Sequence, residues 1–202
     1  MFLGRTYLAV ILVGLFFSPV AAKTWHVEAD GTGDFSVIQD AVDAATDGDI
    51  IAIGPGRFDQ YSTDQTWGHF YVIIEGKDLT FVGSGPDVTF IGPSDPLYHR
   101  WPGPDVHLLC SYQASRLTIR DLTLEHSPYI QVRAHNARVE VDNCIVRGTG
   151  DGIYTRNSKG GYIRGSTFDR LNSFSSTSIG FHGPEQGVVI EDCRFKGGSL
   201  GI

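Results

Sequence analysis

Apolar and polar residues alternate along the second half of the chain in a pattern that returns about every 22 residues. Four copies read LTIRDLTL, VEVDNCIV, GYIRGSTF and VVIEDCRF, at Leu117–Leu124, Val139–Val146, Gly161–Phe168 and Val188–Phe195. A repeat of about 20–30 residues built from short alternating segments is typical of a solenoid, in which each unit buries its apolar face by stacking on its neighbours.

The repeat also predicts the turns and the inward-facing positions. A small or polar turn residue interrupts each copy, at Asp121, Asn143, Gly165 and Asp192. A second motif runs in phase and places four apolar residues in one column: Val132, Ile153, Ile179 and Ile202. Because no part of this region has helical spacing, we predict two strands and two turns per repeat, forming one coil of a parallel β-structure.

This pattern resembles the right-handed parallel β-helix of the pectin-lyase-like proteins, over most of the chain after residue 22. The resemblance implies an all-β solenoid with coils from about residue 49 to residue 202. The sequence stops at Ile202, inside a predicted strand. Since solenoids need a cap at each end, we predict an uncapped C-terminal end that belongs to a fragment of a longer β-helix. Self-association through the open coil is the alternative.

The first 22 residues have the features of a signal peptide. Arg5 supplies a positive charge, Tyr7–Phe17 an apolar core and Val20–Ala22 a small-residue cleavage site. The apolar run is shorter than the roughly 20 residues that a membrane span needs. We therefore predict one exported domain, residues 23–202, that is secreted, periplasmic or at the cell surface, without stable membrane insertion.

The charge of the chain argues against nucleic-acid binding, and the spacing of its cysteines argues against a fold held together by disulfides. After residue 22 the chain has 15 basic and 23 acidic side chains, which argues against nucleic acid as a partner. Cys144 and Cys193 hold the same place in repeats two rungs apart, nearly 10 Å at a strand spacing of about 4.8 Å. That distance is too long for a disulfide, so both are predicted to be buried core residues. Cys110 has no evident partner.

A short helix is predicted before the coils, at about residues 36–46. Ser36 and Gln39 have the spacing of a capping box, an apolar face follows, and Gly48 is expected to end the helix. Such a helix would cover the open end of a β-coil, where an unpaired strand edge would otherwise promote aggregation.

Two stretches interrupt the strands and are predicted to be loops, Tyr61–His69 and Ser94–Asp105. The second is rich in proline and aromatic residues, which suits stacking on a sugar. The alternative is that Trp67 and Trp101 pack these loops onto the coil.

The segment DGTGDFSVIQDAVDAA…GDIIAIGPGRFDQ, from Asp30 to Gln60, resembles the N-terminal segment of pectinesterases. Those enzymes use one Asp as nucleophile, a second as acid/base and Gln side chains for the oxyanion. By this resemblance Asp151 stands at the acid/base position, with Gly150 in place of the neighbouring Gln, and Gln131 lies on the first Gln-containing strand. The nucleophile strand corresponds to Thr177–Gly183, which has no carboxylate.

De-esterification by the usual route is therefore not predicted. Asp151 is the candidate catalytic residue, and an ordinary role in a G-D-G turn is the alternative.

The predicted register also gives a candidate binding face. If Val132, Ile153 and Ile179 point inward, two outward columns follow, His135–Arg156–His182 and Arg133–Tyr154–Gly180. Stacked strands bring such side chains within about 5 Å of one another. With Gln131, the side chains of these columns form the predicted substrate-binding set: Gln131, Arg133, His135, Tyr154, Arg156 and His182. A solvated face with neutral histidines is the alternative.

These observations favour an exported protein that binds or processes a polysaccharide, acidic and similar to pectin or alginate. Its status as an enzyme is open. A non-catalytic structural or surface-interaction module, or a truncated remnant of a carbohydrate-active enzyme, is the alternative. No cofactor or metal is predicted: Ca²⁺, which lyases of this fold use, is not indicated, and His126, His135 and His182 lack the spacing of zinc ligands.

Overall fold

The computed structural model describes residues 21–60, 62–64, 68–95, 106–114, 116–170, 177–183, 186–197 and 199–201. In chain order its elements are β1 (Thr24–Val27), α1 (Ile38–Ala44), β2 (Ile50–Ile53), β3 (Gly56–Phe58), β4 (Ser62–Asp64), β5 (Gly68–Glu75), β6 (Leu79–Gly83), β7 (Thr89–Ile91), β8 (Val106–Tyr112), β9 (Arg116–Arg120), β10 (Thr123–Glu125), β11 (Ile130–His135), β12 (Arg138–Asp142), β13 (Ile145–Gly148), β14 (Asp151–Arg156), β15 (Lys159–Arg164), β16 (Thr167–Arg170), β17 (Thr177–His182), β18 (Gln186–Glu191), β19 (Arg194–Lys196) and β20 (Ser199–Gly201).

The strands form three sheets that run the length of the coil. Sheet 1 joins β1, β2, β6, β9, β12, β15 and β18; sheet 2 joins β3, β7, β10, β13, β16 and β19; sheet 3 joins β4, β5, β8, β11, β14, β17 and β20. All named pairings are parallel except β4 with β5. The predicted parallel β-helix is confirmed, but each coil has three strands, because each eight-residue repeat spans a turn between sheet 1 and sheet 2.

The predicted turn residues that interrupt the repeats share a left-handed backbone conformation. Asp121, Asn143, Gly165 and Asp192 have φ of 58°, 49°, 57° and 52°. Glycine and, among residues with a Cβ, Asn and Asp reach this left-handed region most easily. Asn143 Nδ2 also donates to Asp121 Oδ1 at 2.8 Å, which links successive turns.

A second left-handed column follows sheet 3. It contains Gln113, Asn136, Asn157 and Gly183. Asn157 Nδ2 donates to Asn136 Oδ1 at 3.1 Å. Side-chain bonds between stacked turns therefore hold the coils in register at two corners.

The core is the apolar interior of the coil. Val132 pairs with Ile153 and Ile153 with Ile179, and all three are fully buried. On the next strand Leu200 pairs with Ile179, across a register shift between Thr177 and Ile179. Ile202, which the sequence predicts to belong to this column, lies outside the described residues.

The cysteines of the described chain are free thiols. Cys144 is buried and Cys193 half-buried. Ser166 lies between them: its Oγ accepts a hydrogen bond from Cys144 N, and its carbonyl accepts one from Arg194 N. The predicted two-rung separation is confirmed.

Helix α1 is shorter than predicted and is capped differently. It begins after Val37, and no side chain caps its first turn. The predicted capping box is wrong because Gln39 has another partner: Gln39 Oε1 accepts from Ile73 N at 2.8 Å and Nε2 donates to Ile73 O at 3.1 Å. Gln39 thus pairs with the free edge of β5, as expected for a helix that covers the end of the coil.

The ends of two predicted elements also differ. The helix ends at Ala44, four residues before Gly48. Gly48 has φ of 85° and donates its N–H to Asp78 O, which places it in the following turn. Part of the predicted loop Tyr61–His69 is a strand, because β4 forms an antiparallel hairpin with β5.

Several predicted features fall on residues that the structure does not describe. These are residues 1–20 of the predicted signal peptide, Trp67, and the aromatic part of the second loop, residues 96–105. Within the described residues, no helix has the length and apolar character that crossing a membrane requires.

Candidate functional site

A cleft of about 780 Å³ lies on the outer face of sheet 3. Its lining residues come from four successive coils and the turns that follow three of them: Glu75, Gly76, Tyr112, Gln113, Arg133, His135, Asn136 and Arg156. Strand pairing places Tyr112, His135, Arg156 and His182 in one column and Arg133, Tyr154 and Gly180 in the next. Both columns have the register predicted from the sequence.

Arg133 is held between two histidines at the floor of the cleft. Its Nε donates to His135 Nε2 at 3.1 Å, and its Nη1 lies 3.3 Å from His107 Nε2. Because a guanidinium can only donate, both imidazole nitrogens accept, and both rings are neutral with the proton on Nδ1. The remaining Nη donors of Arg133 stay available to an anion.

His107 is the buried support of this arrangement. It is fully buried, its ring stacks on Phe70 with centroids 5.4 Å apart, and Tyr129 meets it edge-on at 5.3 Å. Burial, with smaller contributions from Arg133 and His135, lowers the pKa of His107 to about 3. Burial and the two arginines likewise lower the pKa of His135 to about 4. The cleft therefore carries its positive charge on arginine at neutral pH.

Acid is expected to destabilise the fold through His107, whose pKa is about 6.5 in an unfolded chain and about 3 when folded. As the pH falls through this window the unfolded chain takes up a proton that the folded chain does not. The free energy of unfolding then decreases by up to about 1.4 kcal/mol per pH unit. His107→Gln, which keeps an acceptor for Arg133 but does not titrate, should remove this part of the slope in urea unfolding between about pH 4 and 7. If the free energy of unfolding of the variant depends on pH as steeply as that of the original chain, the lowered pKa of His107 is not the cause of the acid sensitivity.

Aromatic rings flank the charged groups. The Tyr112 ring meets the His135 ring edge-on, with centroids 5.0 Å apart, and the Tyr154 and His182 rings stack at 6.5 Å. Burial raises the pKa of the Tyr112 hydroxyl. Burial also raises the pKa of the nearby Cys110 thiol, to about 11. The neutral Tyr112 hydroxyl and the neutral His135 imidazole lie beside two guanidinium groups and give the cleft both hydrogen-bonding and stacking surfaces.

Gln131 lies apart from the other predicted binding residues. Its side chain is fully buried. Its Oε1 accepts from Ser127 N at 3.0 Å and its Nε2 donates to Ser127 O at 2.9 Å. These bonds hold the corner before β11. Because both ends of the Gln131 amide are bonded to Ser127, the side chain does not reach the cleft.

Asp151 also lies outside the cleft, at the start of β14. Its Oδ1 accepts from Thr177 N at 2.7 Å and its N–H donates to Tyr129 O at 2.6 Å. Its carboxylate also faces the buried Arg170: burial lowers the pKa of Arg170 to about 10, and the charge of Asp151 opposes that shift. Asp151 thus has a structural task at the corner between sheets 2 and 3.

Glu75, His107 and Tyr112 were not among the residues predicted for the site. Their coils lie N-terminal to the clear repeats: Leu109 and Val72 precede Val132 in the inward column, but 37 residues separate Val72 from Leu109. The insertion between β7 and β8 hides the period. The signal that could have found them is the apolar pattern of β5 and β8, aligned across that insertion.

The outer columns of the other two sheets differ from this one in charge. On sheet 1 the column is Arg120, Asp142, Arg164 and Glu191. On sheet 2 it is Glu125, Arg147, Asp169 and Lys196. Charge alternates along both, and on each of them described ion pairs join neighbouring rungs. On sheet 3 neither Arg133 nor Arg156 has a carboxylate partner among the described residues.

The described residues contain no group of three or more His, Cys, Asp and Glu side chains placed to hold a metal ion. Glu75 is the one carboxylate among the described residues that line the cleft.

A match to a family model agrees with the coil architecture. Residues 105–202 match the family model described as "Right handed beta helix region". Among solved structures, pectin methylesterase from carrot is 15% identical, with a TM-score of 0.48, over 88% of this chain and 64% of the carrot chain. The chain thus spans less than two thirds of the length of that protein. No curated protein matches the chain.

Proposed function

We propose that this chain, whose fold is a right-handed parallel β-helix, binds an acidic polysaccharide in the cleft on sheet 3. One observation carries the proposal: Arg133 and Arg156 lie in a large open cleft without carboxylate partners among the described residues. In the equivalent columns of the other two sheets, ion pairs join Arg164 to Asp142 and Arg147 to Glu125. A ligand carboxylate would complete the third column.

The geometry suits a uronate chain. Guanidinium groups bind carboxylates with charge-assisted hydrogen bonds, often in pairs. Arg133 and Arg156 come from adjacent coils, which are about 4.8 Å apart, so they can engage carboxylates on one ligand at more than one point. The ring of Tyr112 lines the cleft and can contact the sugar, and Asn136 and Gln113 offer amides for its hydroxyls.

The proposal concerns binding. Hydrolysis of a glycosidic bond by the usual mechanism needs a pair of carboxyl groups, and the described lining of the cleft contains Glu75 alone. The catalytic role predicted for Asp151 stays a prediction, because its carboxylate lies outside the cleft and accepts a hydrogen bond from Thr177 N.

Arg156→Ala tests this function. We expect the variant to lose about 10-fold to 100-fold in affinity for polygalacturonate, the effect of removing one hydrogen bond to a charged group. Arg164→Ala is the matched control, because Arg164 is similarly exposed and pairs with Asp142 on sheet 1. Equal affinity of the two variants would remove the cleft as the binding face. If neither the original chain nor its variants bind any acidic glycan, the structural module becomes the better account.

A further inference from the structure

Asp49 is a buried carboxylate at the entry to the first coil. It is 3% exposed. Its Oδ1 accepts from the backbone N of Lys23 at 2.8 Å, and its Oδ2 accepts from Trp25 Nε1 at 3.1 Å and from Thr46 N at 2.9 Å. Among the described residues no cationic side chain forms an ion pair with it. A buried charge without an opposite charge is unusual in proteins.

Lys23 is also the residue at which the ordered coil begins. Ala21 and Ala22 are exposed and have no regular structure, and β1 starts at Thr24. The carbonyl of Lys23 accepts from Ile50 N at 2.8 Å, and the Lys23 ammonium lies 3.1 Å from the centroid of the Trp25 ring. The sequence independently predicts cleavage between Ala22 and Lys23.

We propose that the bond between Ala22 and Lys23 is hydrolysed and that Asp49 is the binding site for the new N-terminus. A peptidase of the export pathway adds water across this bond, which leaves a carboxylate on Ala22 and an α-ammonium on Lys23. The nitrogen that becomes charged already lies 2.8 Å from Asp49 Oδ1. Processing therefore converts a hydrogen bond from a neutral amide into an ion pair with a buried carboxylate. This inference does not depend on the polysaccharide.

The pH dependence of this ion pair follows from its two partners. Burial acts to raise the pKa of Asp49, but the hydrogen bonds from Thr46, Lys23 and Trp25 outweigh it and lower the pKa. The contribution of the Asp49 carboxylate to stability is thus present at a pH above the usual pKa range of carboxyl groups, and it is lost in acid. An α-amino group has a reference pKa of about 7.7–8.0, and pairing holds its proton to higher pH. The added stability is therefore present at neutral pH and is lost in more alkaline solution.

Other charged groups near Asp49 bear on this test. They are the side-chain ammonium of Lys23, together with Asp47, Asp78 and Arg116 at the neighbouring turn. All of them are present in each form compared below, and Asp49→Asn separates the interaction of the new N-terminus with Asp49 from its interactions with these groups.

The first measurement is the intact mass of the full chain after expression in an exporting host. We expect the mass of residues 23–202. A product cut elsewhere, or not cut, overturns the proposal.

The second measurement compares two N-termini on the same domain. One form starts at Lys23 and the other keeps Ala22, so that the Lys23 nitrogen is an amide again; both are released from a tag by a protease that leaves no extra residue. We expect the Lys23 form to unfold about 2–4 °C higher near neutral pH. The difference should disappear in alkaline solution and in Asp49→Asn.

Acylation of the α-amine gives a readout that does not need a stable variant. In the folded Lys23 form the α-amine should react more slowly with an acylating reagent than the α-amine of the Ala22 form. Equal thermal midpoints and equal acylation rates would overturn the assignment of Asp49. Neither result depends on whether the cleft binds a polysaccharide, so the two proposals can fail separately.

Discussion

Replacing both Arg57 and Arg147 with alanine is expected to lower the free energy of unfolding by about 3–5 kcal/mol. The two arginines enclose Glu125, which is fully buried. Arg57 Nη2 lies 2.6 Å from Glu125 Oε1, and Arg147 Nε donates to Glu125 Oε2 at 2.5 Å. Without them a carboxylate remains in the wall of the coil with no opposite charge, and such a group is far more costly than a missing surface ion pair.

Two controls separate this charge effect from lost packing. Arg164→Ala removes an exposed ion pair with Asp142 and should change stability by less than about 1 kcal/mol. Adding Glu125→Gln to the double variant removes the buried charge and should recover part of the loss. Urea unfolding at neutral pH measures all four proteins. If the double variant is as stable as Arg164→Ala, the charges of Arg57 and Arg147 are not required to stabilise the buried Glu125 carboxylate.

Replacing both Arg133 and Arg156 with alanine is expected to reduce affinity for polygalacturonate by about 100-fold or more, since each arginine contributes a hydrogen bond to a charged group. Arg133 is the more pre-organised of the two, because His107 and His135 both accept its hydrogen bonds. Arg133→Lys should therefore also bind weakly: an ammonium lacks the planar set of donors that the two imidazoles orient.

The matched control for the double variant is Arg120→Ala with Arg164→Ala. It changes the net charge equally, but on the outer column of sheet 1. The same loss of affinity in this control would mean that overall charge, and not the cleft, governs binding. Thermal unfolding of each variant shows whether a loss of affinity has a structural cause.

The repeats allowed the architecture and one face of the cleft to be predicted from the sequence. The period of about 22 residues reflects a physical requirement, since each coil needs an apolar column and turn residues that tolerate positive φ. Once Val132 and Ile153 are aligned, the positions of His135 and Arg156 follow from the two-residue period of a strand. Register is strongly specified wherever one face is buried.

Three features did not follow from the pattern, for physical reasons. Glu75 and Tyr112 were missed because an insertion separates their coils. Gln131 was predicted to reach a ligand, but it and Val132 are both buried, so the strand does not alternate strictly there. The capping box failed because Gln39 forms hydrogen bonds with Ile73, a contact between residues far apart in the sequence.

The most direct test of the proposed binding site is a calorimetric titration of the full chain with polygalacturonate oligomers, and with the same oligomers after complete methyl esterification. The two ligands share their backbone and hydroxyl groups; the carboxyl group is a charged carboxylate in one and a neutral methyl ester in the other. Arg133 and Arg156, which have no carboxylate partner in the part of the chain that the structure describes, predict binding of the free acid that weakens as salt is added, with little or no binding of the ester. Equal affinity for both forms, or no binding of either, would contradict a cleft that recognises carboxylates.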